Sequence, residues 1–260
     1  MKQRTPLQVF FAVERALFLR EIEMKFTVGK TGVFWTFFEP FFQVALFVAI
    51  HAALMGSASF GFDFTIFMAS GFIAFNMFRH ILTSSGGAFI ANKGLFAYKQ
   101  VKPFDTVIAR VLVEAFTTIV IIAIFLCIGF LFNYEAMLPK NTLMVCIGYG
   151  WLLLFATGMG LLVAVGNIFF ISVGKVVSIL SFILLFISAV FFPVISLPPQ
   201  LQEIILYNPL VHFLEMIHGY YVYGLDDRFV DYRYMTLWSV VPFFIALWLY
   251  QRLEKRIVSL

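Results

Sequence analysis

Charge is scarce in this sequence: Asp, Glu, Lys and Arg make up 12% of its 260 residues, against roughly a quarter in an ordinary soluble domain. Cysteine is nearly absent. Cys127 and Cys146 lie in separate apolar runs, which excludes a disulfide framework or a paired-cysteine zinc or redox motif, and both read as inert buried thiols. Histidine is confined to His51, His80, His212 and His218, too scattered for a metal site. No serine carries the flanking signature of a nucleophile. A phosphate loop is missing too. Gly29-Lys30-Thr31 resembles the end of one, but Met24 stands where its leading glycine is required. Ser84-Ser85-Gly86-Gly87 is superficially like an ATPase signature, yet it only closes an apolar run. The first thirty residues are charged throughout, so no cleavable leader with a short apolar core is expected.

Apolar residues are abundant: 62% of the chain by the AVILMFWYC count, with 35 phenylalanines. A soluble fold would leave much of that surface exposed and aggregate. The composition therefore excludes a soluble enzyme and a disordered regulator, and points to a polytopic helical membrane protein. A span needs about 17–25 mostly apolar residues. Six stretches qualify: 33–56, 62–85, 104–132, 142–167, 174–195 and 234–251. Their apolar runs are continuous instead of alternating, which excludes a closed barrel.

The net charge of +4 reads as an orientation signal, not as a nucleic-acid footprint. Lys2, Arg4, Arg15, Arg20, Lys25, Lys30, Lys93, Lys99, Lys102, Lys175, Arg252, Lys255 and Arg256 fall on one side, and only Lys140, Arg228 and Arg233 on the other. Both termini are therefore expected in the cytoplasm. Residues 7–28 carry a charge every few positions, the pattern of an amphipathic helix in the plane of the cytoplasmic interface. At the other side, Pro198 and Pro199 end the fifth span, and Asn208-Pro209 starts a helix too short to cross. That segment, 198–223, is expected to be a re-entrant helical hairpin. No repeat or linker divides the chain. The expected fold is an all-α membrane protein of one domain, 1–260: an interface helix within 1–30, spans one to five within 33–195, the hairpin at 198–223 and span six at 234–251.

Four charges sit inside the spans near their cytoplasmic ends: Glu39, Arg79, Arg110 and Glu114. Burying them costs several kcal/mol, on the order given for intramembrane ions, unless they are paired or hydrated. Two readings fit: a closed set of structural ion pairs, or a polar vestibule for a charged substrate head. The i, i+4 spacing favours an Arg110–Glu114 pair, or Arg110 with Glu39, and leaves Arg79 as the freer cation. Ala156, Gly160 and Ala164 form a small-residue face for close helix packing. The basic loop 86–103, with a helical centre near 89–98, fits a simple connection or a handle for a motor protein. The outer hairpin fits a border of an exit path, with His212, Glu215, Tyr220 and Tyr221 nearest the cargo, or a packed plug.

Arg20-Glu21-Ile22, Gly32 to Trp35, Glu39-Pro40, Asn92-Lys93-Gly94-Leu95, Val101 to Asp105 with Arg110 and Glu114, and Asn208 to His212 with Glu215 and Gly219 together give a pattern. It resembles the membrane subunit of type 2 ABC exporters, and within them the capsular-polysaccharide export permeases. The resemblance implies a homodimer paired with two copies of a separate ABC ATPase, which uses ATP and Mg while this chain binds no cofactor and is not itself an enzyme. It implies a lipid-linked acidic polysaccharide as cargo across the bacterial inner membrane, with periplasmic and outer-membrane capsule export proteins beyond. Leu95, Phe96, Tyr98 and Lys99 would couple to the ATPase, and the N-terminal helix would touch it too. One departure is His218, where the pattern leads to an arginine. O-antigen or another glycan is the alternative cargo. A secondary transporter would usually show broken helices and inverted repeats, which the sequence lacks.

Overall fold

The computed structural model describes residues 5–27, 32–55, 61–170 and 172–259. Lys2, Arg4, Lys30 and the Gly29–Thr31 motif lie outside them. The described residues form ten α-helices and no strand: α1 (Pro6–Thr27), α2 (Gly32–Met55), α3 (Phe64–Gly86), α4 (Ala88–Asn92), α5 (Pro103–Leu131), α6 (Thr142–Phe169), α7 (Val173–Ile187), α8 (Pro199–Ile205), α9 (Pro209–Tyr221) and α10 (Tyr232–Val258). Helix starts follow local chemistry. Asp63, Asn141, Asn208 and Asp231 each accept hydrogen bonds from the first free N–H groups of the helix they precede. Pro103 and Pro209 occupy first-turn positions where no donor is lost.

Five helices, α2, α3, α5, α6 and α10, are long and apolar enough to cross a membrane. The first four match the expected first to fourth spans within about two residues, and α10 covers the expected sixth, 234–251, running seven residues further. The expected fifth span is not matched. Instead of a helix over 174–195, α7 ends at Ile187 after 15 residues, about 22 Å at 1.5 Å per residue, short of a bilayer core of ~30 Å. Ala189 adopts φ +58°, which breaks the helix. Asn208 Nδ2 donates to the Ile187 carbonyl at 3.0 Å and to Ser188 Oγ at 2.9 Å, so the cap of α9 also satisfies the frayed end of α7. Residues 189, 190 and 194 then fold inward as buried chain.

The core is α3. Every residue from Ile66 to Phe78 is buried, against α2, α5, α6, α7 and α9. Close approach comes from small residues on α6. A Cβ on Gly160 would lie 2.9 Å from Ser85 Oγ of α3, and one on Gly158 would lie 2.7 Å from the Phe243 backbone nitrogen of α10. Ala156 and Ala164 are likewise buried. The small-residue face therefore packs within the chain, where van der Waals contact replaces the hydrophobic drive that lipid cannot supply. Phe78, Phe155 and Phe213 stack in sequence, with centroids 5.4 and 5.2 Å apart, joining α3, α6 and α9.

α2 and α7 keep most apolar side chains outward, including Phe34, Phe42, Ile179 and Phe182. Cys127 and Cys146 are free and exposed. They fall on the outer faces of α5 and α6, in contrast to the buried thiols that their apolar runs predict.

Candidate functional site

The intramembrane charges gather at the basic end, but not in the pairs their spacing suggests. Lys25 Nζ lies 2.6 Å from Glu114 Oε2, and Glu21 Oε2 lies 3.3 Å from Arg110 Nε. Arg110 also donates to the Ser84 carbonyl. Arg79 is not free: its Nη2 is 3.2 Å from Glu39 Oε1. The steps match, four residues from Glu21 to Lys25 and four from Arg110 to Glu114, so α1 leans along α5 in the same direction. This corrects one expectation: Arg110 pairs with neither Glu114 nor Glu39. α1 turns Glu21 and Lys25 toward α5. The physical reason is complementarity: an acid–base step on α1 meets a base–acid step on α5, which neutralises four charges at once.

The polar chain continues across α2 and α3. Gln43 Nε2 donates to Glu39 Oε1 at 3.1 Å, and Asn76 Nδ2 donates to Gln43 Oε1 at 2.9 Å. His80 Nδ1 sits 4.0 Å from Glu114 Oε2. Lys25, Glu39, Asn76, His80 and Glu114 line a cavity of about 170 Å³ between α1, α2, α3 and α5, with Trp35 and Thr36 at its α2 edge. Of the four expected vestibule residues, Glu39 and Glu114 line it. Arg79 stands behind Glu39, and Arg110 borders a separate recess with Glu21, Met24 and Ser84.

The segment expected to couple to the ATPase is α4 followed by a 3-10 turn, Lys93–Ala97. Phe96 is 6% exposed and belongs to the core, whereas Tyr98 is 66% exposed. Leu95 is half-buried, and Lys99 is exposed. Leu95 lines a groove of about 710 Å³ shared with Val9, Val13, Leu17 and Arg20 of α1. Arg20 Nη2 donates to Asn92 Oδ1 at 2.6 Å, so α1 is tied to this segment as well as to α5.

At the acidic end the short helix α8 is followed by α9, which is buried on nearly every side. Glu215 Oε1 accepts from the Val194 N–H at 3.1 Å. His212 Nδ1 accepts from the Asp231 N–H, and its Nε2 lies 2.9 Å from the Leu206 carbonyl. The Tyr221 hydroxyl donates to the Met137 carbonyl. Tyr220 is the more exposed of the four and bonds Asp227 at 2.7 Å. His212, Glu215 and Tyr221 are thus buried, each with a backbone partner, and His218 is buried as well. His218 packs against Phe67, tilted by 35° with centroids 4.1 Å apart, and a Cβ on Gly71 would meet its Nε2 at 2.8 Å. An arginine would not fit there.

Sequence reasoning missed Glu21, Lys25, Gln43, Asn76 and His80. The signal present was the Glu21/Lys25 step, the reverse of Arg110/Glu114.

With that geometry in view, the relatives are informative. The sequence model of the ABC-2 type transporter family matches residues 12–222. The polysialic acid transport protein KpsM of Escherichia coli is 32% identical over 98% of this chain and 99% of its own length. The capsule polysaccharide export inner-membrane protein BexB of Haemophilus influenzae is 30% identical over 85% of this chain and 82% of its own. CtrC of Neisseria meningitidis serogroup B, also a capsule polysaccharide export inner-membrane protein, is 26% identical over 92% and 90%. The matched region runs from within α1 through the end of α9, so the charge network, α4 and α8–α9 all lie within it, and the chain belongs to the ABC-2 type transporter family.

Proposed function

We propose that this chain is the membrane permease of an ATP-driven exporter carrying lipid-linked capsular polysaccharide across the bacterial inner membrane. Two copies pair with two copies of a separate ATPase that uses ATP and Mg, and both termini face the cytoplasm. The observation that carries this reading is similarity to capsule-export permeases along nearly the whole chain. The geometry supports it. Tyr98, Leu95 and Lys99 present a surface at the basic end, beside the groove with α1. That surface is a natural seat for a motor, and Arg20–Asn92 joins it to α1. Movement imposed at residues 93–99 would pass through α1 to the Glu114 and Arg110 pairs. The network around Glu39, Arg79, Arg110 and Glu114 is where the substrate head would be handled on the inner side. Tyr220, with His212, Glu215 and Tyr221 behind it, would border the path on the outer side.

The test is complementation. Expressed with its partner ATPase in a strain lacking the equivalent permease, the chain should restore surface capsule. Tyr98→Ala should release the ATPase from the membrane, since one exposed aromatic anchor at an interface is worth about 2 kcal/mol or more. Phe96→Ala should instead lower the amount of folded permease, by about 3–5 kcal/mol of stability. No capsule from the intact pair, or full ATPase association with Tyr98→Ala, would remove the respective part of the reading.

A further inference from the structure

A groove of about 510 Å³ runs along the outside of α6 and α10. Met159 and Leu162 of α6 line it with Leu237, Trp238, Val241 and Ile245 of α10, and the buried Pro242 lies among them. Every lining residue is apolar, and these four of α10 are exposed. Trp238 packs edge-on against Phe155 and Tyr234, which holds the largest side chain of the groove in place. The same face of α10 continues to the basic end. At 3.6 residues per turn, Trp238, Ile245, Arg252 and Arg256 fall within about 40° of one another. The Arg252 guanidinium lies over Trp248, 4.1 Å from the ring centroid, and that of Arg256 lies over Phe169 of α6 at 4.7 Å. One cation thus rests on each of the two helices that wall the groove.

Nothing in the chain neutralises these cations. Among the described residues, neither arginine is paired with a carboxylate. Glu254 lies on the opposite face of α10 and accepts from the Tyr250 hydroxyl at 3.1 Å. Lys255 adds another exposed positive charge. An aromatic ring under a guanidinium fixes its position and leaves its charge. The depths also agree. Arg252 stands fourteen residues beyond Trp238, about 21 Å at 1.5 Å per residue, which is half of a bilayer of ~40–45 Å including headgroups. Cations at headgroup level therefore stand above an apolar groove at acyl-chain depth. A second copy of the chain does not suit this face. A two-fold interface sets a patch against itself, and here it would bring Arg252, Lys255 and Arg256 of both copies together with no acid between them. A zwitterionic lipid would bring its own ammonium to the same cations.

We propose that the α6–α10 groove holds an acyl chain of one anionic phospholipid of the inner leaflet, with its phosphate seated between Arg252 and Arg256. Basic sites between spanning helices at the cytoplasmic side select such headgroups. The lipid is a resident of the membrane and not cargo, since the groove lies on α6 and α10, apart from the polar cavity between α1, α2, α3 and α5. Bound there, it fastens the last turns of α10 to α6. Tyr250, on the other side of α10, packs against Phe89 and Phe104. Only the choice of leaflet rests on the exporter reading, through its orientation.

The permease–ATPase complex in phosphatidylcholine nanodiscs would receive a small fraction of either phosphatidylglycerol or phosphatidylcholine brominated near the end of one acyl chain. Tryptophan quenching would be read against the same complex carrying Trp238→Phe, so that the difference isolates lipid in contact with Trp238. Brominated phosphatidylglycerol is expected to quench Trp238 at a membrane fraction about twentyfold lower than brominated phosphatidylcholine. Arg252→Gln and Arg256→Gln should each narrow that gap about fivefold, the share of one cation near the surface, and together they should close it. Raising salt to about 1 M, where screening acts within ~3 Å, should narrow it in the unchanged protein, so a folding defect in a variant does not decide the matter. Equal quenching by the two lipids would make the groove an ordinary lipid-facing surface, and no quenching by either would mean that protein covers it; both overturn the proposal. Loss of the quenching on addition of ATP would put the groove on the path of the cargo and overturn the assignment to a resident lipid. Capsule restored in cells with no lipid preference at Trp238 would defeat this site and leave the exporter reading standing. A preference without capsule restoration would do the reverse.

Discussion

Lys25 Nζ stands 2.6 Å from Glu114 Oε2 and 3.3 Å from Thr117 Oγ1, so the counter-ion of an acidic residue in a spanning helix is delivered by the N-terminal helix. With Glu21–Arg110 one turn earlier, α1 is fastened to α5 at two successive steps. Arg20–Asn92 fastens it to the end of α4. The N-terminal helix thus sits between the segment around Asn92 and the polar cavity.

The Lys25–Glu114 pair should behave as a unit. Lys25→Met is expected to leave Glu114 uncompensated and lower thermal stability in nanodiscs. Adding Glu114→Gln should recover most of the loss, with a coupling energy of about 1–3 kcal/mol in the double-mutant cycle. Additive effects of the two changes would show that the side chains do not interact.

Glu215 should act through structure. Glu215→Leu leaves the buried Val194 N–H without an acceptor, at a cost of about 1–3 kcal/mol, and should reduce the folded amount. Glu215→Gln keeps an acceptor oxygen and should be close to neutral. Export per folded molecule should be unchanged in both. Normal folding with slowed export in Glu215→Gln would place the carboxylate on the cargo's path instead.

Glu14 should make the seating of α1 sensitive to pH. Its carboxyl is 6% exposed with both oxygens unpartnered among the described residues. Burial, and then the nearby Asp105 charge, raise its pKa from 4.5 to about 7. The folded state therefore holds a proton that the unfolded chain has released, so stability is greatest at low pH. It falls as pH rises from about 4.5 through about 7. Thermal unfolding from pH 5 to 8 should show that decline, and Glu14→Gln, which mimics the neutral form, should flatten it and be the more stable protein at pH 8. An unchanged slope in the variant would assign the pH dependence elsewhere.

Much of the architecture was legible because membrane spans are a one-dimensional signal. The runs at 62–85, 104–132 and 142–167 match α3, α5 and α6 because continuous apolar length decides a span, and Asn208-Pro209 marks a helix start through capping chemistry local to two residues. The break in α7 was hidden. Residues 188–195 are as apolar as what precedes them, and the helix ends because Ala189 turns and Asn208, some twenty residues on, takes up the last carbonyl.

The charged residues divide in the same way. Composition and position determined that Glu39, Arg79, Arg110 and Glu114 cluster at one end of the bundle, and that any charge there needs a partner. Which partner each finds was decided by tertiary packing. An i, i+4 spacing makes Arg110 and Glu114 neighbours on one helix, but a second helix carrying the opposite step lies alongside and satisfies both more fully. Likewise Phe96 and Tyr98 look equivalent as aromatic residues of a basic loop, and only the fold turns the first into core and the second outward. The sequence states what must be buried or paired. The three-dimensional packing chooses among the candidates, because those choices depend on distances between segments that the linear order does not contain.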